Sequence, residues 1–371
     1  MLLFVTFCIV VIIQFYFYFK LFGKFSFSED RRSSENENFS VSVVICARNE
    51  AGNLKRFLPY IAEQSYPGFE IVLVNDHSSD TTLKVFQAFK ERYKKNKQIS
   101  DIKIVSLTEG DSSKGKKNAL TKGIEAASNE YLLLTDADCR PVSKEWISYM
   151  MSKFNDKKNI VLGYGAYAKK KRSLFNKLIR FETLLTAIQY FSYAKSGMAY
   201  MGVGRNMAYT KSIFVKEGGF VKHERISSGD DDLFVNAVAT KENTAICSYK
   251  DSFTESVPAG SFSEWFRQKR RHITTANKYS IKHRLLLGTF FLSQFLFYFL
   301  ALILVFRGIF LPFVIFLILF RFVVWYVTIS RSAKKLNEKD LIFLAPFYEI
   351  GIICLQLCIF ISNLISPPKK W

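Results

Sequence analysis

The chain has 371 residues, 49% of them hydrophobic and 16% aromatic, and a formal net charge of +20. So much apolar content excludes a disordered chain, and six scattered cysteines without a C-x-x-C pair argue against a disulfide framework or structural zinc. A strongly basic chain suits nucleic acid or an anionic membrane leaflet; with no nucleic-acid motif in the sequence, membrane lipids are the expected partner and nucleic acid is not.

Residues 2–19 form an apolar run of spanning length, followed by Lys20, Lys24, Arg31 and Arg32. The basic residues come after the apolar stretch and no small-residue cleavage site succeeds it, so 1–24 reads as an uncleaved anchor. A polar linker fills 25–40. Beyond it, short apolar runs at 41–46, 70–74, 102–106, 131–135 and 160–163 read as strands, and amphipathic segments at 53–64, 81–95 and 116–127 as helices. Alternation of this kind predicts an α/β fold, a Rossmann-like, mainly parallel sheet with helices on both faces. Residues 174–193, preceded by Lys169-Lys170-Lys171-Arg172, suit a helix lying on a membrane, or simple core. Three more apolar segments, 285–306, 309–329 and 341–365, are long enough to span. The last contains Pro346 and Glu349, so it reads equally as re-entrant or interfacial. The expected division is a domain over 41–281 and a transmembrane region of about three helices over 282–371. Positive charge at Arg284, Arg331, Lys334, Lys335 and Lys339 places the domain on the cytoplasmic side.

In such sheets ligands sit beyond the carboxyl ends of strands, and there the polar segments fall: Ala47-Arg48-Asn49-Glu50, Asn75-Asp76-His77-Ser78-Ser79-Asp80 and Asp136-Ala137-Asp138. Carboxylates two apart in extended chain point to one side, so Asp136 and Asp138 suit a single Mg²⁺ or Mn²⁺, or merely close a strand before Pro141. Asp80 reads as a helix cap. Lys114-Gly115-Lys116 lacks the spacing of a phosphate loop. Farther on come Gly202-Val203-Gly204-Arg205-Asn206, Ser228-Gly229-Asp230-Asp231-Asp232 and Phe266-Arg267-Gln268-Lys269-Arg270-Arg271-His272. Three consecutive carboxylates favour a helix start yet repel one another. Gln268 and Arg271, three apart, share a helix face.

Taken in order, these segments resemble the family 2 glycosyltransferases of the A-type glycosyltransferase fold, in the membrane-embedded group of cellulose and poly-N-acetylglucosamine synthases. The resemblance runs over about 41–277. It implies that Arg48, Glu50 and Asp76 cradle the nucleotide, Asp76 accepting from uracil, and that Lys116, Gln268 and Arg271 attend the donor phosphates. It further implies that Asp136 and Asp138 hold Mg²⁺ or Mn²⁺ on the diphosphate, and that Gly204 and Asn206 belong to an acceptor-side loop. Asp231 takes the position of the catalytic base with Asp230 its acidic neighbour, although Asp232 also fits. His272 stands where the polymer synthases carry Trp, a departure that separates this chain from their grip on a growing polymer.

The implied activity is inverting transfer of a sugar from a nucleotide diphosphate donor, expected to be a UDP-sugar, to a hydroxyl of a lipid-linked or saccharide acceptor. The setting is the cytoplasmic face of a bacterial inner membrane, with room for membrane-protein partners. A polyprenyl-phosphate glycosyltransferase and a non-catalytic nucleotide-binding membrane scaffold are the alternatives; intact acidic positions weigh against the scaffold.

Overall fold

The computed structural model describes residues 1–30, 39–107, 115–223, 226 and 228–366. Residues 31–38, half of the expected linker and including Arg31 and Arg32, and Lys114 lie outside the described residues. In chain order the elements are α1 (Leu2–Phe15), a π-helical turn (Tyr16–Leu21) and α2 (Gly23–Ser26), then β1 (Val41–Ala47), α3 (Ala51–Ala62), β2 (Phe69–Asp76), α4 (Thr82–Tyr93) and β3 (Ile99–Leu107). There follow α5 (Lys116–Ala126), β4 (Tyr131–Asp136), β5 (Cys139–Pro141), α6 (Trp146–Met151), β6 (Ile160–Leu162), β7 (Gly165–Tyr167) and α7 (Leu174–Lys195). The remainder is β8 (Met207–Thr210), α8 (Lys211–Glu217), α9 (Asp232–Val238), β9 (Thr244–Ile246), β10 (Thr254–Ser256), α10 (Phe262–Ile273), α11 (Ile281–Phe306), α12 (Leu311–Lys335) and α13 (Ala345–Ile365).

Two compact units emerge. One holds Asp30–Lys171 and Ala199–Gly260. Its seven-stranded sheet runs β3-β2-β1-β4-β8-β6-β9, with β3, β2, β1 and β4 parallel and β8 antiparallel to both its neighbours. The apolar runs of β1 and β2 are buried, with only Cys46 half-buried, as strands covered on both faces must be. Helix α5 packs so close to this sheet that a Cβ on Gly123 would stand 2.8 Å from Val44 and Val74, which explains glycine in mid-helix there. A small sheet, β5-β10-β7, was not foreseen; its three-residue strands are too short to show a period.

The other unit holds Met1–Glu29, Arg172–Met198 and the described residues from Ser261 on. Segments 172–198 and 261–281, placed by the sequence reading within the α/β domain, thus group with the apolar helices. Among the described residues, four helices are long and apolar enough to cross a membrane: Leu2–Ser26, Ile281–Phe306, Leu311–Lys335 and Ala345–Ile365. Helix α7, capped by Ser173 Oγ accepting from Asn176 N, buries Arg180 against Glu338 and Asp340. One buried charge cluster inside the unit is matched: Arg321 of α12 donates to both carboxylate oxygens of Glu349 at 2.9 and 2.6 Å, and Gln14, Tyr18, Gln294 and Tyr298 complete the cluster. A buried charge so enclosed meets the demand that apolar surroundings impose.

Candidate active site

The carboxyl ends of β1 and β2 form one joined rim. Asn49, at φ +56, accepts at Oδ1 from Ser79 N (2.8 Å) and Asp80 N (3.3 Å) and donates its own N–H to Ser78 Oγ (3.0 Å). Asp80 accepts from Thr82 N at 2.9 Å, as a cap does, and from Ala51 N at 3.2 Å, so it also binds the first loop to the second. Glu50 is held by Asn53 Nδ2 at 2.7 Å, Arg48 is exposed, and Asp76 is buried with Oδ1 2.8 Å from His77 Nδ1. Sequence reasoning passed over Asn49; its signal is an amide residue at a strand-to-helix turn, which tolerates positive φ.

Next to this rim, β4 ends at Asp136. Gly115, at φ +120, turns the chain into α5 so that Lys116 is its first residue. Lys116 Nζ lies 2.8 Å from Asp136 Oδ1 and 3.0 Å from Asp230 Oδ2, bridging two expected site residues. Burial works against its charge, but Asp136, Asp230 and Asp231 outweigh it and hold the ammonium proton well above the usual lysine range. A pocket lined by Cys46, Lys116, Asp136, Gly204, Asp230 and Asp231 gathers these groups.

Asp231 caps α9, accepting at Oδ1 from Asp232 N (2.7 Å) and at Oδ2 from Gly204 N (2.8 Å). Burial and the adjoining Asp230 and Asp232 push its carboxyl up to about 7, against the pull of Lys116 and the Gly204 bond. Asp230 goes the other way: burial opposes ionisation, but Lys116 beside it wins and its carboxyl is lowered. Two adjacent acids are therefore driven apart, one to remain an anion and the other to take a proton near neutrality. Asp232 is buried and accepts from Leu233 N at 2.7 Å.

Asp138 is pushed up to about 6 by burial and by Asp136, with Arg205 pulling down. Ligand atoms of Asp136, Asp138 and Cys139 lie within 4.8 Å of one another. Burial raises the Cys139 thiol well above its ordinary range, and its Sγ donates to Asp138 Oδ1 at 3.4 Å, so the oxygen donors are the two aspartates. Two crowded carboxylates, one held half-protonated near pH 6, fit a hard divalent cation that prefers oxygen.

Asn206, expected on the acceptor side, is instead wholly buried: Nδ2 donates to Tyr164 O (3.0 Å) and Ser252 O (2.7 Å), and Oδ1 accepts from Trp146 Nε1 (3.0 Å). With its amide engaged by these three partners it fixes the loop. Its neighbour Arg205, unremarked in the sequence, stacks 4.3 Å over Tyr167, donates to Ser256 Oγ at 2.8 Å and has its backbone oxygen held by Thr135 and Thr254. Gln268, Arg271 and His272 lie on α10, in the unit of apolar helices; burial lowers the Arg271 guanidinium from its ordinary value.

Residues 42–216 match the sequence family described as Glycosyl transferase family 2, and residues 131–329 that described as Glycosyl transferase family group 2. The chain is 33% identical over 132 residues to the poly-beta-1,6-N-acetyl-D-glucosamine synthase of Staphylococcus epidermidis, covering 36% of this chain and 29% of that protein. It is 25% identical over 249 residues to the probable glycosyltransferase YdaM of Bacillus subtilis, covering 65% of this chain and 56% of the relative. The chain thus spans between about a third and just over half the length of these curated relatives. Among solved structures, the mannosyltransferase PcManGT from Pyrobaculum calidifontis, in complex with GDP-Man and Mn2+, superposes with a TM-score of 0.55 at 16% identity, covering 92% of this chain and 98% of that one. That likeness bears on the fold, which it shares. With the second family match extending over more than half its length, the chain belongs to the family 2 glycosyltransferases.

Proposed function

We propose that the chain transfers a sugar, with inversion, from a UDP-sugar to a hydroxyl of a lipid-linked or saccharide acceptor at the cytoplasmic face of a bacterial inner membrane. The observation that carries this is the convergence of Asp136, Asp230 and Asp231 on Lys116 in one pocket beside the joined rim of β1 and β2. The Staphylococcus epidermidis relative, a poly-N-acetylglucosamine synthase by name, supports an N-acetylhexosamine or hexose donor. The basic residues flanking the apolar helices support the cytoplasmic assignment.

The joined loops carrying Arg48, Glu50 and Asp76 receive the nucleotide, Asp76 accepting from the uracil. Asp136 and Asp138 are the residues that would hold Mg²⁺ or Mn²⁺, which would supply neutralising charge at the diphosphate. Lys116 adds a fixed donor for the same oxygens. Asp231 takes the acceptor hydroxyl proton as that oxygen bonds to the anomeric carbon; the bond from that carbon to the diphosphate breaks and UDP departs with its electron pair. The Gly204 and Asp232 N–H groups orient the Asp231 carboxylate, each donating to one oxygen and leaving it a further lone pair. Lys116 keeps Asp230 ionised, and that anion makes Asp231 a stronger base.

Membranes containing the chain, incubated with a panel of nucleotide sugars, should release UDP from one of them, and EDTA should stop the release. Failure to release nucleoside diphosphate from any donor, with or without Mg²⁺ or Mn²⁺, would overturn the reading.

A further inference from the structure

We propose that α13 does not cross the membrane: it starts at about half depth and returns, so that its last turn lies on the face that carries α10. This goes beyond the enzymatic reading and does not depend on it. Composition cannot make the distinction, because 21 residues of high hydropathy satisfy the length requirement either way.

Helices α11 and α12, of 26 and 25 residues, are about 39 and 37 Å long at 1.5 Å per residue and set the scale. Helix α10 ends at Ile273 and α11 starts at Ile281, so α10 lies at the starting end of α11. Helix α12 returns after a short turn, and Lys335 at its end donates to Phe25 O at 2.6 Å, where the first apolar helix also ends. The first turns of α13 are far from this face. Glu349 accepts from Gln294 and Arg321, each about 20 Å along its helix from that end at 1.5 Å per residue.

The last turn of α13 is nonetheless back at α10. Arg270 Nε donates to Asn363 Oδ1 at 2.8 Å and Nη2 to Ser362 O at 3.2 Å and to Ser366 O, while Asn363 Nδ2 donates to Arg270 O at 3.1 Å. An outward course would carry that turn about 20 Å beyond Glu349, and so about 40 Å from the face that carries α10, beyond the reach of any of its side chains. On the way back α13 passes α7, with Tyr348 5.5 Å from the Phe181 ring.

The physical demands of such a path are met. The irregular segment between α12 and α13 is held by protein, Glu338 and Asp340 pairing with Arg180, as non-helical backbone inside a bilayer requires. Glu349 carries its own counter-charge. The outer side of α13 exposes Phe347, Phe360, Leu364 and Ile365, and the occupant this side fits is the acyl layer of the leaflet next to α10. Three crossings, by the first apolar helix, α11 and α12, then bring both α10 and residue 366 to one side.

The test is sidedness of labelling by a membrane-impermeant maleimide, in sealed vesicles of both orientations, read above the background of the native cysteines. Lys278→Cys, between α10 and α11, marks one face, and Arg307→Cys, between α11 and α12, the other. Ser366→Cys should label as Lys278→Cys does, and an Arg270→Cys/Asn363→Cys pair should cross-link on oxidation. Labelling of Ser366→Cys with the pattern of Arg307→Cys, or from both sides equally, would overturn the proposal, and so would failure of the pair to cross-link. None of these readouts depends on sugar transfer, so they stand or fall apart from the enzymatic reading.

Discussion

Two buried charge clusters are built from the same side-chain types and balanced in opposite ways. At the end of β4, Lys116 is shared by Asp136 and Asp230, with Asp231 close behind. Among the apolar helices Arg321 faces Glu349 alone, and Gln14, Tyr18, Gln294 and Tyr298 use the remaining donors and acceptors. Burial, and more negative charge than the one lysine can neutralise, keep Asp231 and the neighbouring Asp138 near the point of protonation. The second leaves nothing to exchange. Excess charge marks a place that trades ions and protons, and exact matching marks a permanent joint.

The largest expected effect breaks the first cluster. Asp231→Asn should lower turnover by about 10²–10⁴-fold, the usual contribution of a general base, while calorimetry finds donor affinity within about twofold of the parent. Turnover close to that of the parent would remove Asp231 from the role. Glu349→Leu comes next. It strands the Arg321 guanidinium and should destabilise the apolar-helix unit by about 3 kcal/mol, read as a lowered unfolding midpoint in nanodiscs. Adding Arg321→Met to that variant should recover most of the loss, since an apolar pair replaces a matched ion pair at little cost.

A smaller, graded effect sharpens the contrast through pH. Because the Asp231 carboxyl is raised to about 7, acidification protonates it early; kcat/KM should fall about tenfold per unit below pH 7 and level off above. Protons also compete for Asp138, raised to about 6, so the Mn²⁺ concentration needed for half-maximal rate should climb as pH drops past that value. Raising metal concentration at pH 5.5 would then recover the part of the loss due to Asp138 and leave the part due to Asp231. The smallest effect belongs to an exposed pair that belongs to neither cluster. Lys122→Ala should change stability by less than about 0.5 kcal/mol despite the 3.0 Å contact of Lys122 with Glu125.

Much of the sheet was readable because its strands are continuous apolar runs ending in polar punctuation. The expected 41–46 and 131–135 fall one residue short of β1 and β4, and 116–127 runs one past α5. Asp136 of the acidic pair, the lysine after Gly115 and the Asp230-Asp231 pair line one pocket. The burial of Asn206 was not legible for a physical reason. Its partners Trp146, Tyr164 and Ser252 are 42 to 60 positions away, and local polarity does not reveal that they will enclose it. Arg205 escaped notice likewise, since its stacking on Tyr167 depends on the small sheet whose strands have no readable period. Residues 172–198 read as part of the α/β domain because sequence order is continuous there, whereas the partners of Arg180 lie beyond 330.

The bridging amide of Asn49 bears on the entropy of donor capture. Fixing the backbone of one loop residue takes about 1–2 kcal/mol of conformational freedom. The loops after β1 and β2 are already held to each other by Asn49, Asp80 and Thr82. On the proposed reading, a nucleotide entering between them would meet a surface whose disorder was removed at folding, and its contacts would appear as affinity instead of being consumed in ordering the protein.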